Sequence, residues 1–180
     1  MANTPYPQSY YAASANAVPP RPVLQGDVET DVCVIGAGYT GLSCALHLAR
    51  DHQAQVLVLE ANTTAWGCSG RNGSFARISG GRVPLADLIG RYGKDTAKAY
   101  FAEMQAALGT VKGLIVDGAI DCDAQPDGVY KVAIKAQHAE ALKREAGLYN
   151  DVLGYPAHFV GAEELQQAHA GAESFGGLRM

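Results

Sequence analysis

Six residues, Gly36-Ala37-Gly38-Tyr39-Thr40-Gly41, join the apolar run Val32-Cys33-Val34-Ile35 to the periodic stretch Leu42-Ser43-Cys44-Ala45-Leu46-His47-Leu48. A G-x-G-x-x-G pattern that ends a buried strand and opens a helix holds a dinucleotide pyrophosphate. Its first glycine permits the tight turn. The second lets backbone N–H groups reach the phosphates, and the third lets helix and strand pack closely. The helix N-terminus adds partial positive charge for the anion. A second apolar run, Val56-Leu57-Val58-Leu59, ends in Glu60, a little more than ~20 residues past the glycines. A carboxylate there accepts hydrogen bonds from ribose hydroxyls and disfavours a 2′-phosphate. Residues 29–60 therefore read as a nucleotide-binding βαβ unit.

The rest of the chain limits the partners. Of the 180 residues 48% are hydrophobic and 18% charged, with a net charge of −4, a globular composition. No segment concentrates Lys and Arg, which argues against nucleic acid, and no stretch approaches the ~18 apolar residues of a membrane span. The opening Met1–Pro22 lacks both the basic and the apolar region of a secretory signal. Cys33, Cys44, Cys68 and Cys122 form no C-x-x-C pair, so neither a metal site nor a disulfide framework is expected, and this usage fits the cytoplasm. Cys33 and Cys44 fall inside the predicted strand and helix, where they are expected to pack as small core residues.

Along the chain, residues 1–27 read as an irregular arm held extended by Pro19, Pro20 and Pro22. Strand one is expected over 31–35, helix one over 39–50 and strand two over 55–60. The loop Ala61-Asn62-Thr63-Thr64-Ala65-Trp66-Gly67-Cys68-Ser69-Gly70-Arg71-Asn72-Gly73 follows, where further ligand contacts would lie. Ala97, Tyr100, Phe101, Met104, Leu108, Val111 and Ile115 predict one packed face on a helix over 95–116. Ile120–Asp123 and Val129–Ile134, flanking Gln125-Pro126-Asp127-Gly128, predict an antiparallel hairpin. Ala139, Leu142, Ala146, Tyr149 and Leu153 predict a second amphipathic helix. A short extended stretch at 158–160 and a short helix at 163–169 complete the pattern. A doubly wound sheet needs more than two parallel strands, and no further βα units follow Glu60, so the chain is expected to be the front part of a longer protein.

The βαβ unit, the loop Trp66-Gly67-Cys68-Ser69-Gly70-Arg71-Asn72-Gly73 and the opening Ser9-Tyr10-Tyr11-Ala12-Ala13-Ser14 together resemble a known group. It is that of the glycine oxidase/D-amino-acid oxidase-type FAD-dependent oxidoreductases, with gamma-glutamylputrescine oxidase-like and L-pipecolate oxidase-like members nearest. The resemblance implies an α/β fold: a Rossmann-like FAD-binding βαβ unit with its flavin loop over 28–82, then the start of an α+β substrate domain over 83–180. It places the FAD pyrophosphate on Gly36, Ala37, Gly38, Tyr39, Thr40 and Gly41, and the adenosine ribose at Glu60 and Ala61. Ser69, Gly70, Arg71, Asn72 and Gly73 would lie beside the pyrophosphate, ribityl chain and isoalloxazine ring. In such enzymes the flavin takes a hydride from the C–H next to an amine of a small amine or amino acid. The imine hydrolyses, and molecular oxygen reoxidises the flavin to give peroxide. The catalytic residues are expected beyond Met180, leaving these 180 residues inactive alone. Two alternatives stay open at this point: an NAD-binding dehydrogenase on the same unit, and a non-catalytic FAD-binding fragment.

Overall fold

The computed structural model describes residues 5–17, 19–78, 81–125, 128–168 and 173–180. Two compact units divide the chain, residues 1–75 and 76–180.

The first unit is built on strand β1 (Val32–Ile35), helix α2 (Tyr39–His52) and strand β2 (Val56–Leu59). The strands are parallel, with Val32 opposite Val56 and Ile35 opposite Leu59. Parallel neighbours need a crossover, and α2 supplies it in 14 residues. The helix ends where Gln53 takes a left-handed φ of 54° and its N–H returns to the Leu48 carbonyl. Within the expected arm a short helix, α1 (Tyr10–Ser14), replaces irregular chain. Ser9 starts it, its hydroxyl accepting the Ala12 N–H. Core burial in this unit is sparse. Only Ala37 and Ala45 are buried among its described hydrophobic residues, and Ile35 is 85% exposed. The expectation that Cys33 and Cys44 pack as core residues fails for that reason: both are exposed, as are Cys68 and Cys122. Two strands and one helix leave the outward positions of β1 and α2 uncovered.

The second unit holds the main core. Helix α3 runs from Leu85 to Asp117 and breaks at Gly93, whose φ of 81° and ψ of 165° are not helical. It starts ten residues earlier than the periodicity predicts because Leu85, Leu88 and Ile89 form a short apolar face of their own behind Pro84. Ala97 and Phe101 are buried as expected, while Tyr100 and Val111 on the predicted face stand exposed. Helix α4 (Ala136–Leu153) follows its pattern closely, burying Ala139, Leu142, Ala146 and Tyr149. The Phe101 ring meets those of Tyr149 and Tyr155 edge-on at 5.8 and 5.3 Å, a favoured aromatic geometry.

The expected hairpin is not formed. Residues 120–123 are not a strand; Ala119 and Asp123 have φ of 45° and 50° instead. Strand β3 (Tyr130–Val132) pairs with β5 (Gly177–Arg179), which also pairs with β4 (His158–Val160), both antiparallel, giving the order β3-β5-β4. Two glycine-free runs flank a turn signal in the sequence, whereas the true partner starts at Gly177 directly after Gly176 and has little strand character. Pro126, Asp127 and His169 lie outside the described residues. Helix α5 (Ala162–Ala168) lies where the short helix is expected and starts one residue earlier.

Candidate dinucleotide site

The turn after β1 is a hub of backbone hydrogen bonds. Gly36 has a φ of +101°, a conformation that favours glycine, and its N–H donates to the Leu59 carbonyl at 2.7 Å. Ala37, 4% exposed, uses both backbone groups. Its N–H donates to Glu60 Oε2 at 2.8 Å, and its carbonyl accepts the Ala65 N–H at 2.9 Å. A Cβ on Gly41 would overlap the Gly36 carbonyl oxygen and lie 3.3 Å from Val34 Cγ1. This is the close helix–strand approach expected of the third glycine.

Helix α2 begins at Gly38, which has no side chain with which to cap it. The cap comes from the loop: Ser69 Oγ accepts the Tyr39 N–H at 3.0 Å. A Cβ on Gly38 would stand 2.9 Å from that oxygen. The Ser69 proton remains available for an anion, since its oxygen is the acceptor in this bond. Thr40 sits exposed in the first turn of α2.

Glu60 is exposed, and both its oxygens bind backbone: Oε2 takes the Ala37 N–H, and Oε1 takes the Asn62 N–H at 3.0 Å. The Ala37 N–H, then the Asn62 N–H, hold its carboxyl below the ordinary value of 4.5. A group lowered on folding contributes stability that is full above its ordinary value and fades as pH falls through the lowered one. Accordingly, the stability difference between wild type and Glu60→Gln should be constant from neutral pH down to about pH 5 and shrink below it. Glutamine cannot replace the carboxylate here, because its NH₂ would face one of the two N–H donors. Denaturant unfolding across pH checks this, and a difference that grows on acidification would contradict it.

The predicted loop residues divide by what they touch. Cys68–Gly70 form a single 3-10 turn. The Arg71 guanidinium lies over the Trp66 ring, 4.6 Å from its centroid, and Nε donates to the Gly67 carbonyl at 3.2 Å. Asn72 is occupied within the loop, its Nδ2 donating to the Ser69 carbonyl at 2.9 Å and its Oδ1 accepting the Ser74 N–H at 2.7 Å. Ala61 and Gly73 are exposed, and a Cβ on Gly73 would touch the Phe75 ring. Sequence reasoning passed over Trp66 and Tyr6. The signal for Trp66 was its being the one tryptophan in the chain, set in a glycine-rich loop. Tyr6 hydrogen-bonds the Gly70 carbonyl across 64 positions, and nothing in the sequence pointed to it.

A glycine turn, a helix N-terminus capped by Ser69 of the loop and a strand-end carboxylate converge at one end of a parallel βαβ unit. Dinucleotide-binding βαβ units have this arrangement. Residues 31–180 match the family described as FAD dependent oxidoreductase, to which the chain belongs. It is 41% identical over 143 residues to gamma-glutamylputrescine oxidoreductase of Escherichia coli (strain K12), covering 79% of this chain and 33% of that protein. With a probable oxidoreductase, OrdL, of Rhizobium meliloti (strain 1021) it shares 30% over 151 residues, 82% of this chain and 34% of the relative. Among solved structures, glycine oxidase from Bacillus cereus ATCC 14579 superposes with a TM-score of 0.56 at 19% identity, covering 84% of this chain and 39% of that one. The chain thus spans about a third of the length of these curated relatives. No helix among the described residues is long and apolar enough to cross a membrane.

Proposed function

We propose that this chain holds FAD on a Rossmann-like unit and belongs to an enzyme that oxidises the C–N bond of a small amine or amino acid. The observation that carries the reading is the Ser69 hydroxyl at the N-terminus of α2, beside a turn that glycine alone can form. The fit to a dinucleotide is good: the cradle lacks Cβ atoms where phosphate would sit, and the helix N-terminus offers N–H donors. In this reading Gly36–Gly41 and Ser69 hold the pyrophosphate. Glu60 keeps a second lone pair on each oxygen and accepts from ribose hydroxyls as well as from Ala37 and Asn62. Gly70, Arg71, Asn72 and Gly73 line the path of the ribityl chain. Arg71, its guanidinium steadied on Trp66, brings fixed positive charge. FAD, when bound, supplies the two-electron acceptor, and oxygen is proposed as the terminal acceptor. The residues present bind and orient; residues 83–180 begin the domain that shapes the substrate site. The name of the Escherichia coli relative makes gamma-glutamylated amines the first substrates to try.

Titration with FAD, followed by visible absorbance, tests the binding half. Glu60→Ala removes a charged acceptor from ribose, a loss of about 1.5–3 kcal/mol, so FAD affinity should fall at least about tenfold. Unchanged affinity would reduce Glu60 to a clamp on the turn. Anaerobic addition of amines to the FAD-loaded protein tests the catalytic half: loss of the visible band reports substrate oxidation. Tight FAD binding without bleaching by any amine would favour a non-catalytic FAD-binding module.

A further inference from the structure

The geometry points to Tyr6 as a positioning residue that latches the cofactor loop from the N-terminal arm, an inference that rests on the FAD reading above. Tyr6 stands between Pro5 and Pro7. The following proline keeps its backbone extended. Most of the described arm is exposed, but Tyr6 is half-buried. Its hydroxyl donates to the Gly70 carbonyl at 2.5 Å. That carbonyl belongs to the last residue of the 3-10 turn Cys68–Gly70, whose own bonds use the Gly67 and Cys68 carbonyls, so the phenol satisfies a helix-end acceptor that the turn itself leaves open.

The seat is shaped for the phenol. A Cβ on residue 70 would lie 2.7 Å from the Tyr6 oxygen and would also overlap the Ala65 carbonyl. Glycine at 70 is required first by the Ala65 backbone carbonyl, and it also leaves room for the Tyr6 hydroxyl. Three residues further along the arm, Ser9 caps α1 and fixes the chain leaving the latch.

What the latch holds matters for the site. The residue before Gly70 is Ser69, whose hydroxyl caps α2, and its carbonyl is tied by Asn72. The residue after it is Arg71, stacked on Trp66. Fixing the Gly70 peptide thus fixes the aim of the hydroxyl and the cation on either side. Losing one neutral hydrogen bond should loosen the loop by a factor of about two to ten.

The test uses the whole chain with Tyr6→Phe, which keeps the ring and removes only the hydroxyl. Hydrogen exchange of a peptide spanning 61–73 should speed by about two- to tenfold, while a peptide from α4 stays unchanged as internal control. FAD affinity should weaken by a similar factor. In a double-mutant cycle Tyr6→Phe should cost less than about twofold once Ser69 is already alanine, because the latch acts through Ser69. Unchanged loop exchange overturns the latch. Faster exchange with unchanged FAD affinity, or full additivity with Ser69→Ala, overturns the positioning role. If wild type binds no FAD, the cofactor reading falls and the positioning role with it, while the exchange measurement still decides whether Tyr6 holds the loop.

Discussion

Gly41→Val should unfold the first unit. The added Cβ would overlap the Gly36 carbonyl oxygen, a backbone atom fixed by the turn, with Val34 Cγ1 close behind it. Relief requires moving the first turn of α2 off β1. That motion would break the Leu42 N–H bond to the Gly38 carbonyl at 2.9 Å and the Tyr39 bond to Ser69 at 3.0 Å. Backbone overlap that cannot relax belongs to the severe class of substitutions, and a loss of about 3 kcal/mol or more is expected. Gly38→Ala is the instructive contrast. Its nearest neighbour is Ser69 Oγ at 2.9 Å, the end of a side chain that can rotate away. The loss there is the Tyr39 cap, about 1 kcal/mol, with weaker FAD binding in a folded protein. Amide exchange in α2 and β2 should rank Gly41→Val far above Gly38→Ala; the reverse order would overturn this account of the turn.

Leu178→Ala should have a comparable effect on the second unit. Leu178 is fully buried in the middle strand, opposite Lys131 on one side and Phe159 on the other. Leucine truncation at such a site costs about 2–5 kcal/mol, through lost burial and the cavity left behind. Ile120→Ala supplies the control. Ile120 belongs to the run that reads as a strand in sequence, but it is 51% exposed and pairs with nothing in the sheet. Its truncation should change stability by no more than about 0.5 kcal/mol. Urea unfolding of both variants distinguishes β5 from residues 120–123 as the true partner of β3. Equal losses would favour the hairpin.

The contrast shows where the chain is legible. The β1–α2–β2 unit could be read because each signal agreed: an apolar run, glycines at the seam, a periodic helix and a second apolar run. Helix α4 could be read because its apolar residues keep one period throughout. Strand β5 could not, since Gly176 before it and Gly177 at its start suppress strand character and its place is set by partners distant in sequence. Cysteine burial misled because packing preference presumes a covered sheet face, which β1 lacks at Cys33 and Ile35. At the candidate site, Gly41 and Ser69 were legible as residue types at meaningful positions. That both oxygens of Glu60 bind the backbone, and that Tyr6 reaches Gly70, depend on three-dimensional closeness no local pattern encodes.

The order β3-β5-β4 also has a kinetic consequence. The middle strand follows both of its neighbours in the chain, and they do not pair with each other, so neither edge has a ladder until Gly177–Arg179 arrives. Helix α4 and β4 can associate early, because Asn150 Nδ2 donates to the Ala157 carbonyl at 2.7 Å over a separation of only seven residues. β3 must wait for a loop closure that spans α4, β4 and α5, whose entropic cost is met before any pairing is gained. Refolding of the second unit should therefore show local helix protection first and sheet protection in one later step. Both β3 and β4 should become protected together, as a clasp closes on two edges at once.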